Sequence, residues 1–326
     1  MTAPSEEEAQ ALVVAVPALL HGVRVDRGVA MVANISRSSA AQLVAQGRVQ
    51  VDGVPVHVGR ELLSEGAELT VQLPDDSTAG VVVAEAGVRF AVVHEDRDLV
   101  VVDKPAGLIV HPGAGHQDGT LVGGLLARFP DLGELARSGV CEADRPGIVH
   151  RLDKGTSGLL AVARSEVAYS SLVAQLAERT MSRRYLALVE GEVANDRGEV
   201  EAPIGRSTRT PTKMAVSAAG KPARTGYEVR QRRSATATQG PTTLLSLALH
   251  SGRTHQIRVH MAAIGHPVVG DARYGTVDRQ LGSGRFFLHA YALALDHPVT
   301  GERLTFELPL PVDLETYLRQ TSSDGT

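Results

Sequence analysis

One stretch decides how this chain is interpreted: Gly147-Ile148-Val149-His150-Arg151-Leu152-Asp153-Lys154-Gly155-Thr156-Ser157-Gly158-Leu159-Leu160. Apolar residues lead into and out of it, and they predict short buried strands. The polar middle is too charged for a core and too rich in glycine for a helix interior. It therefore predicts a loop held between rigid strands, which is a common position for catalytic groups. Asp153 is its only acid, and we take it as the candidate centre of a site.

Length, composition and charge limit the classes of protein. The chain has 326 residues, of which 43% are hydrophobic, so it can form two domains with sizeable cores. Its net charge of −4 argues by itself against a nucleic-acid binder. Residues 201–260, however, hold ten Lys/Arg against two Asp/Glu, a local charge of +8. A basic segment in an acidic protein indicates an anionic partner.

The expected compartment is the cytoplasm. Cys141 is the only cysteine, which excludes a disulfide framework within the chain and fits a reducing environment. The N-terminus is acidic where a signal peptide would be basic. No apolar run reaches the length that crosses a membrane.

The first part of the chain predicts a small unit. Residues 1–17 are interpreted as a tail with a weak helix, and residues 18–75 as a compact unit. Helices are predicted from Val25 to Ala33 and from Ala40 to Gln46, where Ser36 to Ser39 supply N-cap candidates. Asp52-Gly53 between alternating apolar residues predicts a β-hairpin.

Two arginines, Arg37 and Arg48, flank the second of these helices and would lie on one edge of the unit. They are interpreted either as an ordinary solvated surface or as contacts to RNA phosphates. The order of helix, Ser-Arg-Ser-Ser, helix and Gly-Arg-Val-x-Val-Asp-Gly resembles the alpha-L RNA-binding domain over about 55 residues. That resemblance implies that Arg37 and Arg48 contact RNA phosphates.

A second set of candidate RNA contacts lies in the basic segment after Pro203. Arg206, Arg209 and Lys213 are spread along a stretch with few apolar residues. The pattern predicts an irregular, mobile loop that can follow a phosphate backbone. A plain solvated loop remains the alternative.

The chemistry around Asp153 can be narrowed from the residues alone. A lone carboxylate among cations stays ionised at neutral pH, as a nucleophile or base must. Arg253 follows a predicted strand and precedes a helix capped by Thr254, and its guanidinium could hold the carboxylate in a two-pronged pair. A purely structural Asp–Arg pair is the alternative.

Metal and nucleotide cofactors are not expected. His255 and His260 are five residues apart, whereas two zinc ligands on one helix face need a spacing of four. No glycine-rich loop leads into a helix in a phosphate-binding pattern. We therefore predict no cofactor and no metal.

Four motifs together resemble those of the RNA pseudouridine synthases of the ribosomal large-subunit type, from about residue 90 to 313. They are Asp103-Lys104-Pro105-Ala106-Gly107, His150 to Leu160, Arg183-Arg184-Tyr185 and Gly252 to His260. The alpha-L resemblance in front of them points to the branch that modifies 23S ribosomal RNA, and within it to the synthase D group.

The resemblance implies roles for individual residues. Asp153 would attack the uridine, Tyr185 would stack on the target base and Arg253 would pair with the aspartate. Arg151 would fill the gap left in the RNA, and a contact to a phosphate or a local salt bridge is the alternative. The remaining candidate RNA-binding residues in the loop are His150, Lys154 and Thr156, although His150 and Thr156 are also explained as residues that shape the loop.

The resemblance also implies an overall organisation. The fold class is α+β: a mixed, mainly antiparallel sheet with flanking helices and loops, preceded by a small α/β alpha-L domain. The expected boundaries are a tail (1–17), the alpha-L domain (18–75), a linker (76–87), the catalytic domain (88–313) and a second tail (314–326). The implied activity is isomerisation of a flipped-out uridine to pseudouridine by a monomer, with 23S ribosomal RNA or a large-subunit precursor as partner.

Two other functions are compatible with the same residues. A non-catalytic RNA-binding or ribosome-assembly factor could share the fold, but it would not need Asp153, Tyr185 and Arg253 together. A different RNA-modifying or hydrolytic enzyme could use Asp153 as a general base. A second carboxylate close to Asp153 would favour that reading, and the sequence shows none nearby.

Overall fold

A computed structural model describes residues 11–33, 35, 37–73, 82–113, 118–210, 212–235, 240–275, 281 and 285–321. Contacts within the chain divide it into two compact units, Met1–Val81 and Val82–Thr326. Each unit has a hydrophobic core of its own. The division after Val81 falls inside residues 76–87, which are predicted from the sequence to form a linker.

The first unit combines helices with a four-stranded sheet. Its elements are strand β1 (Ala11–Ala15), a 3-10 turn (Ala18–Leu20), helices α1 (Val25–Val32) and α2 (Arg37–Ala45), and strands β2 (Val49–Val51), β3 (Val54–Pro55) and β4 (Glu68–Gln72). The strand order is β1-β4-β2-β3, and all neighbours are antiparallel. Asp52 and Gly53 both have positive φ, 51° and 76°, as a two-residue hairpin turn requires.

The prediction of a tail with a weak helix over residues 1–17 is wrong for residues 11–15. They form β1, which pairs along its whole length with β4, from Ala11 opposite Gln72 to Ala15 opposite Glu68. Leu12 packs against the core of this unit. Short apolar runs fit a helix and a strand about equally well, and here pairing with a distant strand decides. Residues 1–10 lie outside the described part.

The second unit is built on a nine-stranded sheet. Its strands are β5 (Ala91–Glu95), β6 (Leu99–Lys104), β7 (Ser157–Ala163), β8 (Ser182–Glu190), β9 (Arg197–Glu201), β12 (Arg224–Arg233), β13 (Thr242–Leu249), β14 (Leu288–Asp296) and β15 (Arg303–Glu307). Two further strands, β10 (Ile204–Arg206) and β11 (Met214–Val216), form a separate hairpin. The order is β5-β6-β7-β14-β8-β13-β12-β9, with β15 paired to β14. Only β7 and β14 run parallel among these described pairs. The predicted α+β class with a mainly antiparallel sheet is confirmed.

Helices and apolar side chains cover both faces of this sheet. The helices are α3 (Leu121–Arg128), α4 (Leu132–Arg137), α5 (Glu166–Glu178), α6 (Gln256–Ala263) and α7 (Val312–Gln320). Along β6, Val100 and Val102 face the core that contains α3, while Leu99 and Val101 face the core that contains α5. The two-residue period of a strand thus supplies both cores, and it keeps the strands next to the Asp153 loop rigid.

Two further predictions need correction. Residues 314–326 were expected to be a tail, but α7 continues to Gln320 and buries Leu314 in a cluster with Phe287. The basic segment after Pro203 was expected to be irregular, but β10 and β11 pair from Ile204 opposite Val216 to Arg206 opposite Met214. In both cases pairing or packing with partners remote in sequence supplies the order.

Candidate active site

A cleft of about 550 Å³ opens in the second unit beside the Asp153 loop. Its walls come from the loop before β7, from β8, and from the turn between β13 and α6. Seven arginines and two carboxylates are among the described residues that line it. The volume is typical of small-ligand sites, and the excess of cations suits an anionic ligand.

Asp153 lies in this cleft and uses its two carboxylate oxygens differently. Oδ2 accepts a hydrogen bond of 3.0 Å from Nη1 of Arg258. Oδ1 has no hydrogen-bond partner among the described residues. The neighbouring Leu152 is buried in the core, and the Asp153 carbonyl accepts from the Thr156 amide at 3.0 Å. The loop is therefore anchored on both sides, with one carboxylate oxygen held and the other available.

Arg258 is held in turn by a second carboxylate. Asp271 accepts from Nε at 2.6 Å and from Nη2 at 2.8 Å, a two-pronged pair. The guanidinium also lies over the rings of Phe286 and Tyr274, at 4.2 and 5.0 Å from their centroids. Burial by itself would lower the pKa of Arg258, but the hydrogen bond to Asp271 and the two carboxylate charges outweigh it and raise that pKa.

The predicted pairing of Asp153 with Arg253 is wrong. Arg253 lines the cleft but is exposed, and its Nε donates to the Pro222 carbonyl at 3.1 Å. The difference arises at the helix start, because the N-cap is His255 rather than the predicted Thr254. His255 has a left-handed backbone, with φ of 56°, so α6 begins at Gln256 and its first turn points Arg258 at Asp153.

Tyr185 forms another wall of the cleft. It lies on β8, is 4% exposed, and packs within the main core. Burial, opposed by the nearby Arg183 charge and reinforced by Asp153, raises the pKa of its hydroxyl to about 12. The ring is therefore neutral and held by packing, as a stacking platform needs to be.

His150 is a neutral hydrogen-bonding residue in this environment. Its Nε2 accepts from the Ala161 amide at 3.0 Å, which places the ring proton on Nδ1. Burial and the positive charge of Arg183 lower the pKa of His150 to about 3. Nδ1 and the hydroxyl of Thr156 are both enclosed, and neither has a hydrogen-bond partner in the described part of the chain.

The other predicted loop residues differ in position. Arg151 is exposed at the cleft. Lys154 is not among the residues that line the cleft, and its carbonyl accepts from the Gly107 amide at 2.7 Å. This bond ties the Asp153 loop to the turn after β6, so the Lys154 backbone supports the loop.

Arg206, Arg209 and Lys213 are not among the described residues that line the cleft, and Arg37 and Arg48 belong to the first unit. Arg37 begins α2, but its side chain is outside the described part. Arg48 lies in the first unit, where its backbone carbonyl accepts from the Gln72 amide at 2.8 Å. Arg206 and Arg209 are exposed on the β10–β11 hairpin and the loop after β10. Lys213 donates to the Arg273 carbonyl at 2.6 Å.

Sequence reasoning did not single out Lys104, which is fully buried beneath the loop. Its Nζ donates to the carbonyls of Pro105 at 2.9 Å and Leu108 at 2.8 Å. Burial lowers the pKa of Lys104 to about 7, although the charge of Asp153 opposes this. The available signal was a lysine that ends β6, two positions after the apolar run from Leu99 to Val102.

No group of three or more His, Cys, Asp or Glu suited to a metal ion occurs among the described residues. None of the helices in the described ranges has the length and apolar character needed to span a membrane.

Comparisons with known proteins agree with one another. A sequence model of the family described as RNA pseudouridylate synthase matches residues 98–263. Ribosomal large subunit pseudouridine synthase D of Pseudomonas aeruginosa is 42% identical, over 94% of this chain and 95% of the relative. An uncharacterized RNA pseudouridine synthase of Bacillus subtilis is also 42% identical, over 93% and 95% of the two chains.

A solved structure supports the same assignment. Human RNA Pseudouridylate Synthase Domain Containing 1 is 28% identical and superposes with a TM-score of 0.52, covering 72% of this chain and 95% of the human chain. The chain therefore belongs to the RNA pseudouridylate synthase family, whose members isomerise uridine in RNA.

Proposed function

We propose that this enzyme converts specific uridines of 23S ribosomal RNA, or of a large-subunit precursor, to pseudouridine, with Asp153 as the nucleophile. The observation that carries the proposal is the state of the Asp153 carboxylate. Its Oδ2 is held by Arg258 at 3.0 Å, while Oδ1 has no partner among the described residues and belongs to a residue that lines the cleft. An oriented carboxylate with one available oxygen suits nucleophilic attack.

The isomerisation needs the target nucleotide to leave its helix. Unstacking costs a few kcal/mol, and stacking on an aromatic ring returns about 1–3 kcal/mol. Tyr185 supplies that ring in the same cleft as Asp153. The bond between N1 and the ribose breaks, the base turns in the cleft, a bond forms from C5 to the ribose, and the C5 proton is lost while N1 gains one. The reaction is redox-neutral and consumes no second substrate.

The choice of ribosomal RNA rests on the relatives. Several proteins about 40% identical over nearly the whole chain carry the name ribosomal large subunit pseudouridine synthase D. The first unit, with helices α1 and α2 ahead of the β2–β3 hairpin, supports a separate RNA-binding module that uses Arg37 and Arg48. We propose that the enzyme acts in the cytoplasm, where a ribosomal substrate is made, and that it acts as a monomer.

The direct test is to map pseudouridines in total RNA from cells with the gene, without it, and complemented with Asp153→Asn. We expect defined positions in 23S ribosomal RNA to lose the modification in the deletion strain and to stay unmodified with Asp153→Asn. Wild-type complementation is the control and should restore them. Loss confined to transfer or messenger RNA would refute the substrate, and modification restored by Asp153→Asn would refute the role of Asp153.

A further inference from the structure

Arg183 is a buried cation with no counter-ion among the residues that the structure describes. Three arginines of the described chain are less than 9% exposed: Arg183, Arg258 and Arg285. Arg258 is paired with Asp153 and Asp271, and Arg285 with Asp313 at 3.2 Å. The Arg183 side chain has no carboxylate and no hydrogen-bond acceptor among the described residues, and its Nε is enclosed without a partner.

Burial of the Arg183 guanidinium lowers the stability of the folded chain when no ligand is bound. A guanidinium stays charged under all ordinary conditions, so Arg183 cannot escape burial by losing its proton. Burial lowers the pKa of Arg183, which is the effect expected where no carboxylate compensates it. Removing an isolated charge from water is unfavourable unless an opposite charge meets it. A bound anion would compensate the charge of Arg183.

The surroundings open Arg183 toward the cleft. Arg183 and Tyr185 are two residues apart on β8 and both line the cleft, so they share one face of the strand about 6.6 Å apart. Gly252 lines the cleft beside it, and a Cβ at that position would lie 3.0 Å from Nη1 of Arg183. The absence of a side chain at Gly252 leaves space next to Nη1 of the largely buried guanidinium. His150 adds no competing charge, because its pKa is lowered to about 3.

We propose that Arg183 binds a phosphodiester group of the RNA adjacent to the flipped uridine, while Tyr185 stacks on the base. This inference rests on the proposed function for the nature of the anion, since RNA carries a phosphodiester at every nucleotide. A full buried charge favours an anion over a neutral uracil carbonyl, and the planar guanidinium fork matches two phosphate oxygens. Strand β8 thereby fixes the base and the backbone of one nucleotide from a single rigid element.

The test compares uridine with its 5′- and 3′-monophosphates as probes of the full-length chain at constant ionic strength. Dissociation constants are measured by calorimetry or by NMR titration. We expect the wild type to bind at least one monophosphate about tenfold or more tightly than uridine, as a charge-assisted hydrogen-bond pair implies. Arg183→Gln should remove that preference and leave the affinity for uridine unchanged.

Arg184→Gln is the matched control, because Arg184 is the next residue on β8 and points to the other face of the sheet. It should keep the wild-type preference. Thermal unfolding without nucleotide is measured in parallel, and Arg183→Gln should melt at or above the wild-type temperature, because it removes an uncompensated buried charge.

Three results would overturn the proposal: no phosphate preference in the wild type, an unchanged preference in Arg183→Gln, or a large fall in the melting temperature of that variant. The readout does not require turnover, and Asp153→Asn should keep the preference. Failure of the ribosomal assignment therefore leaves this test intact, and failure of the phosphate site leaves the mapping of pseudouridines unaffected.

Discussion

Arg258 contacts Asp153 through Nη1 alone, at 3.0 Å, because Asp271 occupies its Nε and Nη2. Asp271 is 1% exposed and also accepts from the Arg273 amide at 3.0 Å. The orientation of the proposed nucleophile therefore depends on a carboxylate that does not line the cleft.

Replacing Asp271 by Asn should lower kcat much more than it raises KM. The amide can accept one hydrogen bond from Arg258 but no longer matches both nitrogens, so the guanidinium and Asp153 lose their fixed geometry. Misplacement of a catalytic group by about 1 Å can lower the rate about a hundredfold. Single-turnover kinetics on the mapped RNA substrate measures the effect. Asp313→Asn, at the partner of Arg285, is the control, and an equal loss there would contradict the positioning role.

Substitution by lysine should lower kcat much more at Arg258 than at Arg253. Arg258→Lys keeps the charge but cannot hold Asp153 and Asp271 together, and we expect kcat to fall about a hundredfold or more. Arg253→Lys should change kcat by less than about threefold, since its guanidinium donates to the Pro222 carbonyl and pairs with no carboxylate in the described part of the chain. Measuring kcat of both variants in parallel shows which arginine positions Asp153. A larger loss in Arg253→Lys than in Arg258→Lys would support the Asp153–Arg253 pair predicted from the sequence.

Part of the cleft's lining could be predicted from the sequence, while the roles of its residues stay predictions. Asp153 and Tyr185 could be singled out because both belong to motifs with distinctive neighbours, and both line one cleft. Strands β6 and β7 could also be predicted, since each contains a short continuous apolar run, which is typical of a strand buried on both faces. Local pattern was sufficient wherever the chain's immediate neighbours determine the structure.

Sequence reasoning failed where contacts between residues distant in the chain determine the position of a side chain. Whether Arg253 or Arg258 faces Asp153 depends on the left-handed backbone of His255, whose Nδ1 lies 2.7 Å from the Tyr274 hydroxyl. Nothing in the order of residues 252–258 reveals that turn. That Arg183 has no counter-ion within the described ranges is likewise invisible in the sequence, because it depends on every element packed around β8.

The stability of the protein should depend on pH through Lys104. Its pKa is 10.5 in an ordinary lysine and about 7 when buried here. Between these values the unfolded chain binds more protons than the folded one, so stability rises with pH across this window and is lowest below it. Relative to Lys104→Met, the wild-type free energy of unfolding should increase by about 1.4 kcal/mol per pH unit from pH 7.5 to 9.5.

Urea denaturation at several pH values measures this difference. The absolute effect of Lys104→Met includes lost hydrogen bonds to the Pro105 and Leu108 carbonyls, but that part is constant with pH above the buried pKa. The slope of this free-energy difference against pH therefore reports only the loss of the Lys104 proton. A slope of zero would show that Lys104 keeps its proton in the folded state throughout this range.

Tyr185 should contribute to RNA binding through its ring and not through its charge. The pKa of its hydroxyl is about 12, so the side chain is neutral throughout the physiological range. In an Asp153→Asn background, which prevents turnover under the proposed mechanism, Tyr185→Phe should bind the mapped RNA within about twofold of the parent. Tyr185→Ala should lose about 1–3 kcal/mol of binding free energy, since it removes the stacking surface. Equal losses in the two variants, measured by filter binding, would assign the contribution to the hydroxyl and contradict a stacking role.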